Sequence, residues 1–521
     1  MKFRFLIIAL FLLSLPRCAR IGHPTGGEKD TTPPKLIKSI PGAFQTNFKG
    51  NEIILIFDEY VQLKNIQQNL LISPPLTEFP EIFPSGFASK IFKIKFKNEL
   101  QKNTTYQINF GQSISDFNEG NVLKDLQLIF STGNQIDSLS LQGKIIPIYM
   151  NKKPEKVIVG LYPSENFKDS AVYVQKPYYV AVVNKNGSFK LNHLKKGTYN
   201  IVAIGDENND YKYKQGDESI AFLNRTINIP GDSIINLLLF KEYPRPDIGK
   251  IEQVSDQHLV ISFKGNPDSL KVSPKIPLKK IWSTIQDDKY HLWYQANSDS
   301  IKLNIKLYNK TKKYTRKRKT EREELSLNIK NTKLTVYDTL KIRSNIPVDS
   351  VQPDKILLTK DHIPVSFTYG LTKKRHIFIN FEKKQGNQYQ LKILPNAITT
   401  FNLEKNKDTI QQWIRIEKEE QLGNLNLKLD GTQQPIFIEL LKNDKVVRKS
   451  STAIGNNFTF KHVTPGRYKI RIIWDDNQNN KWDSGIYLQQ QQPEFTYEPE
   501  MEIEIRANWS LNQEIRLPSK N

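Results

Sequence analysis

The chain contains part of itself twice. "GSFKLNHLKKGTYNIVAIGDENNDYKYKQG", residues 187 to 216, and "NNFTFKHVTPGRYKIRIIWDDNQNNKWDSG", residues 456 to 485, align without a gap at an offset of 269. From Phe189 and Phe458 onward 28 positions stay in step, and Phe189, His193, Gly197, Tyr199, Ile201, Ile204, Asp206, Asn208, Lys212 and Gly216 are identical to their counterparts. Identities that fall on alternating apolar positions and turn residues mark a repeated structural unit. A fainter echo precedes each copy. "TYQINFGQSISDFN" from Thr105 resembles "QYQLKILPNAITTFN" from Gln388 with one residue inserted, Tyr106 opposite Tyr389 and Phe117 opposite Phe401. Any fold proposed for this chain must therefore be built twice.

The period of the apolar residues is that of strands. In "KIFKIKFK", residues 90 to 97, Phe92, Ile94 and Phe96 alternate with Lys93, Lys95 and Lys97, one set facing a core and the other water. "NEIILIFDEYV", "LQLIFSTG", "HLVISF" and "SIKLNIKLYN" read the same way. No ten-residue helical period appears beyond the first residues. At 521 residues one core is insufficient and roughly three to five units are expected. The fold class is all-β, and a hundred residues of short strands between polar turns suits an immunoglobulin-like sandwich.

Net charge is +22. Dispersed along wet strand faces it serves solubility, and no nucleic-acid partner is expected. The dense run "KTKKYTRKRK", Lys310 to Lys319, reads as a solvated hairpin tip. The start of the chain has a different character. Lys2 and Arg4 precede the apolar stretch Phe5 to Leu15, too short to span a bilayer and suited to a secretory signal. Cys18, the only cysteine, follows, placed as the thiol that takes a lipid, although Arg17 departs from the small residues usual there. Residues 1–17 are read as signal peptide. Residues 18–34, "CARIGHPTGGEKDTTPP", are read as the lipidated Cys and a flexible tether.

Both copies end a strand on an acidic loop, 206–218 and 475–485. Oxygen side chains at positions 1, 3 and 5 suit Ca²⁺: Asp206, Asn208 and Asp210 in one loop, Asp475, Asn477 and Asn479 in the other, with Asp483 at position 9. Calcium is the only cofactor these residues suggest. The helix-flanked calcium loop would carry Gly at position 6 and Glu at 12, whereas these hold Tyr211 and Asn480, then Asp217 and Ile486. A turn capped by its own Asp and Asn side chains is the preferred reading. The seven histidines, His23, His193, His258, His291, His362, His376 and His462, are scattered without metal-ligand spacing, and no GxSxG or phosphate-binding glycine motif is present. No catalytic residues are assigned. Trp282, Trp293 and Tyr294 are the aromatics set down as candidates for contact with a glycan.

Taken with "ILIFDEYV", "NTTYQINFG", "IFSTG" and the closing "GRYKIRIIWDDNQNNKWDSGIYLQQQQPE", the tether string makes the chain resemble the Bacteroidota lipoproteins that begin with an SbsA-type Ig-like domain. That resemblance implies an outer-membrane lipoprotein of Ig-like and prealbumin or carboxypeptidase-regulatory-like β-sandwiches. The expected order is an SbsA-type Ig-like domain at 35–134, a prealbumin-like sandwich at 135–244, a β domain at 245–332, a second Ig-like domain at 333–420 and a second prealbumin-like sandwich at 421–521. The function expected is a non-enzymatic structural or binding module of the cell envelope, with an envelope protein or a glycan as partner. The alternatives are a carbohydrate-binding accessory of a polysaccharide-uptake system, and, third, a secreted hydrolase with Ig-like accessory domains.

Overall fold

A computed structural model describes residues 30–518 except 125, 287, 296–297, 319–322, 330–331, 373 and 432. The signal segment, Cys18 and the tether up to residue 29 lie outside the described residues. Strand is nearly everywhere. Among the described residues α-helix is confined to one turn, Ile66–Asn69. Two compact units form, one of residues up to 139 with 178–180 and 193–195, the other of the remainder.

In the first unit the strand Glu52–Leu63 pairs with Leu36–Ile40, Ser89–Lys95 and Ile114–Asp116. A second sheet holds Leu71–Ser73, Thr105–Asn109 and Gln127–Ser131. Ile53, Leu55, Phe92 and Ile94 of one sheet and Tyr106, Ile108 and Phe130 of the other share one core. The alternation in "KIFKIKFK" holds, with Phe92, Ile94 and Phe96 buried and the lysines between them exposed. Tyr106 Oη accepts a hydrogen bond from the Gln101 amide, five residues back, at 2.9 Å. In the second unit Tyr389 Oη accepts from the Lys384 amide, also five residues back, at 3.0 Å. This corner, with the tyrosine ring in the core and its hydroxyl tying the preceding loop, is a sandwich feature made once in each Ig-like segment.

The second unit contains the two copies of the repeat, except residues 193–195 of the first, and their strand order is the same. Leu139–Pro147 lies between Ser188–Leu194 and, in parallel, Ile234–Leu239, while Gly423–Asp430 lies between Asn457–Val463 and, in parallel, Ser510–Arg516. The facing sheets are ordered around Gly197–Ile204 and Gly466–Trp474. Gly143 shows why that parallel contact is close: a Cβ there would stand 1.7 Å from the Ile235 carbonyl oxygen. His193 and His462, identical in the alignment, both take left-handed backbone, φ 56° and 53°.

Between the copies, Asp247–Ser255, His258–Lys264, Lys289–Gln295 and Lys280–Gln286 make one sheet, and Leu270–Pro274, Ser300–Leu307 and Lys310–Lys317 another. This corrects the reading of the basic run. Lys310–Lys317 is an edge strand paired along its length to Ser300–Leu307, not a hairpin tip. Its lysines point to water, which discourages edge pairing, while Arg316 is buried against the Asp256 carbonyl and carboxylate.

Candidate functional site

The two acidic loops begin at equivalent points. Ile204 pairs with Ile220, and its counterpart Ile473 pairs with Thr496. One rung further along are Gly205 with Ser219 and Trp474 with Phe495. Counting outward from these pairs, Asp206 is equivalent to Asp475 and Glu218 to Glu494. The backbone path is also shared: Asn209 and Tyr211 in the first loop, Gln478 and Asn480 in the second, are left-handed, with φ between 56° and 63°. Position 6 thus has the conformation that glycine would favour, held here by Tyr211 and Asn480.

The internal hydrogen bonds match step for step. The Asp210 amide donates to Asp206 Oδ1 at 3.1 Å and Asn208 Oδ1 at 3.0 Å, and the Lys212 amide to Asp210 Oδ1 at 2.8 Å. In the second loop the Asn479 amide donates to Asp475 Oδ1 and Asn477 Oδ1, both at 3.0 Å, and the Lys481 amide to Asn479 Oδ1 at 2.7 Å. Capping side chains of this kind make each loop a stable turn by itself.

The loops differ in the second oxygen of their first aspartate. Asp475 Oδ2 accepts from the Asn480 amide at 2.8 Å and from Thr452 Oγ1. Asp206 Oδ2 is buried and accepts no hydrogen bond. Burial raises the Asp206 pKa, opposed by the Lys156 charge and by the Tyr211 and Asp210 amides. Asp483 is covered in its turn: its Oδ2 accepts from Asn477 Nδ2 at 2.6 Å and Asn479 Nδ2 at 2.7 Å. Glu494 accepts from the amides of Asp476 at 3.0 Å and Asp483 at 2.9 Å. Burial pushes both Glu218 and Glu494 up to about 7, with the charges of the loop aspartates adding to it. Nothing in the alignment marked these glutamates, because they follow the loops at different distances and coincide only through strand pairing. Among the described residues no three His, Cys, Asp or Glu side chains gather as a metal-holding group.

The histidines are less scattered than their spacing suggests. Pairing of His258–Lys264 with Lys289–Gln295 brings His258 Nε2 to 3.0 Å from His291 Nδ1, and His258 Nδ1 lies 2.8 Å from Glu323. The carboxylate only accepts, so His258 donates to it from Nδ1. Trp293 stacks on His258 with centroids 4.1 Å apart, and the Arg375 guanidinium sits 5.1 Å from the indole centroid. His258 and Trp293 are buried, and Trp293, Ile346 and Phe401 share a core, so this cluster packs sheets together.

Of the aromatics set down for a glycan, Trp293 is 0% exposed and Tyr294 1%, and Trp282 packs against the Trp293 cluster. The exposed indoles are Trp413 at 53% and Trp509 at 59%. Trp413 lies on the open face of Ile410–Ile416, opposite Gln390, with Lys392 opposite Gln411 and Gln388 opposite Arg415 on the adjoining pair positions. Lys333 flanks Arg415 from the other side. Those cross-strand partners bring amide and basic side chains, and no carboxylate, to the rows around the indole.

No curated protein matches the sequence. Among solved structures the chain is similar to the S-layer protein rSbsC(31-844), at 10% identity and TM-score 0.14, covering 84% of this chain and 63% of that one. It is similar also to BcpA, the major pilin subunit of Bacillus cereus, at 10% identity and TM-score 0.13, covering 72% of this chain and 99% of that one. Residues 30–132 match the family model of the bacterial Ig-like domain, Big_5.

Proposed function

We propose that the protein is a non-enzymatic lipoprotein of the outer membrane, held by a lipid on Cys18 and presenting an array of β-sandwiches as a structural and binding module of the envelope. The observation that carries this reading is how the two repeat copies are joined. Tyr149 stacks on Trp482 at 4.4 Å, the Tyr487 amide donates to Glu242 at 2.9 Å, and Gln492 Nε2 donates to the Phe222 carbonyl at 3.0 Å. Contacts between segments this far apart in sequence stiffen an array, as a load-bearing or spacer element requires. The apolar Phe5–Leu15 followed by Cys18 supports the anchor. Cys18→Ser should abolish incorporation of radiolabelled palmitate in the native host and move the protein from the outer-membrane to the soluble fraction; an unchanged membrane fraction would refute the anchor.

The exposed Trp413 favours a second reading, a carbohydrate-binding accessory. A flat indole edged by Gln388, Gln390, Gln411, Lys392 and Arg415 offers a sugar ring an apolar platform with hydrogen-bond donors beside it. Affinity electrophoresis in gels containing an acidic polysaccharide tests it. Retardation of the wild type that Trp413→Ala removes and Trp509→Ala leaves intact is the expected result, and equal mobility of all three proteins would end this reading.

A further inference from the structure

We propose that the open face around Trp413 takes a polymer of carboxylated sugars, a polyuronate, with one ring on the indole and carboxylates on Arg415 and Lys392. The inference rests on the reading of Trp413 as a sugar platform and adds the charge of the ligand. Strand register arranges the face in rows. Arg415 is two residues beyond Trp413 on Ile410–Ile416, on the same exposed side, and Lys333 lies beside it across a parallel pair. Lys392, on Gln388–Ile393, is opposite Gln411, two residues before Trp413. Cations therefore stand on both sides of the indole along the strand direction, each row roughly 7 Å from it. Gln390, directly opposite Trp413, puts an amide between them.

Elsewhere on the sheets of this unit a cation is answered by a carboxylate. Lys428 meets Glu514, its cross-strand neighbour, at 2.7 Å. At the other exposed indole, Trp509, the Arg506 guanidinium lies 5.6 Å from the ring centroid and is paired with Glu504 at 3.0 Å. Around Trp413 the cations have no such answer. Among the described residues Lys333, Lys392 and Arg415 make no ion pair and no side-chain hydrogen bond, and Glu417, just past the strand end, pairs with none of them. Like charges side by side on a sheet repel, as Lys333 and Arg415 do here, and an anion relieves that repulsion. A guanidinium holds a carboxylate by two parallel hydrogen bonds, and the apolar side of a sugar ring covers the indole. A neutral glycan would use Trp413 and leave the three cations unanswered.

The test is isothermal titration of the full chain, at about 0.15 M salt to screen distant charges, with polygalacturonate and with the same polymer methyl-esterified, which keeps the rings and removes the charge. Three variants are compared with the wild type: Trp413→Ala, the pair Lys392→Gln and Arg415→Gln, and the pair Lys313→Gln and Lys317→Gln. The last removes the same charge from exposed positions of another sheet, and circular dichroism checks that all remain folded. Polygalacturonate should bind the wild type and the Lys313, Lys317 variant alike, and bind Trp413→Ala and the Lys392, Arg415 variant at least about tenfold more weakly. The esterified polymer should bind the wild type weaker by a similar factor. Equal binding of the two polymers, lost in Trp413→Ala, would overturn the polyuronate and leave the sugar platform standing. Equal weakening by both charge-removing pairs, or undiminished binding in Trp413→Ala, would reduce the effect to the net charge of +22 and overturn the proposal. No heat with either polymer would end both.

Discussion

Glu218 and Glu494 are one position in two copies, and burial holds both near neutrality. The sign of the effect on stability follows from the direction. The pKa of Glu494 rises on folding from 4.5 to about 7, so the folded chain binds that proton more tightly than the unfolded one. Its contribution is complete below about 4.5, lost as pH rises towards 7, and flat above. Glu494→Gln removes the titrating group and also one of the two acceptors that serve the Asp476 and Asp483 amides. The variant should therefore be destabilised by about 1 kcal/mol for the lost bond at acid pH, with a flatter profile between pH 5 and 7, the flattening bounded at about 3 kcal/mol. Urea melts at several pH values read both quantities, and a slope equal to that of the wild type would count against a buried, titrating Glu494.

At the scale of elements, the second copy is longer than the first between equivalent strand residues. Ile204 to Ile220 spans sixteen positions, and Ile473 to Thr496 twenty-three. The extra seven fall between Gly485 and Glu494, and they carry several of the contacts to the first copy. Tyr487 is buried, its ring edge-on to Phe222 at 5.1 Å, and its amide bonds Glu242, which also accepts from Tyr213 Oη at 2.6 Å. Tyr487→Ala should cost about 3–5 kcal/mol, as for other large aromatic truncations, seen as a lower denaturant midpoint of the second unit with the first unit's transition unmoved. Much of this level was legible in sequence. Alternation placed Phe92, Ile94 and Phe96 in a core, and the identity at 269 residues' separation placed both loops after equivalent strands. What escaped depends on which strands become neighbours. Trp293 looks as available as Trp413 in a single strand, yet pairing opposite His258 buries one while an open sheet face exposes the other. His258 and His291 are 33 residues apart and meet for the same reason. The lysines of the Lys310–Lys317 strand read as a tip because an edge strand with wet faces has the composition of a loop.

For the molecule as a whole, the bacterial Ig-like domain at its start and the all-β second unit make a chain whose sheets are closed by contacts between segments distant in sequence. Such topology folds slowly, since non-local pairs are formed only after long loops are closed. It also has a direction. In each repeat copy the opening strand lies parallel to the closing one, from Gln142 beside Ile234 to Pro147 beside Leu239, and from Asn424 beside Ser510 to Asp430 beside Arg516. A pull on the two ends of such a copy drags these strands past one another lengthwise, so every rung must break together instead of peeling in turn. Tension along the polypeptide meets its greatest resistance there.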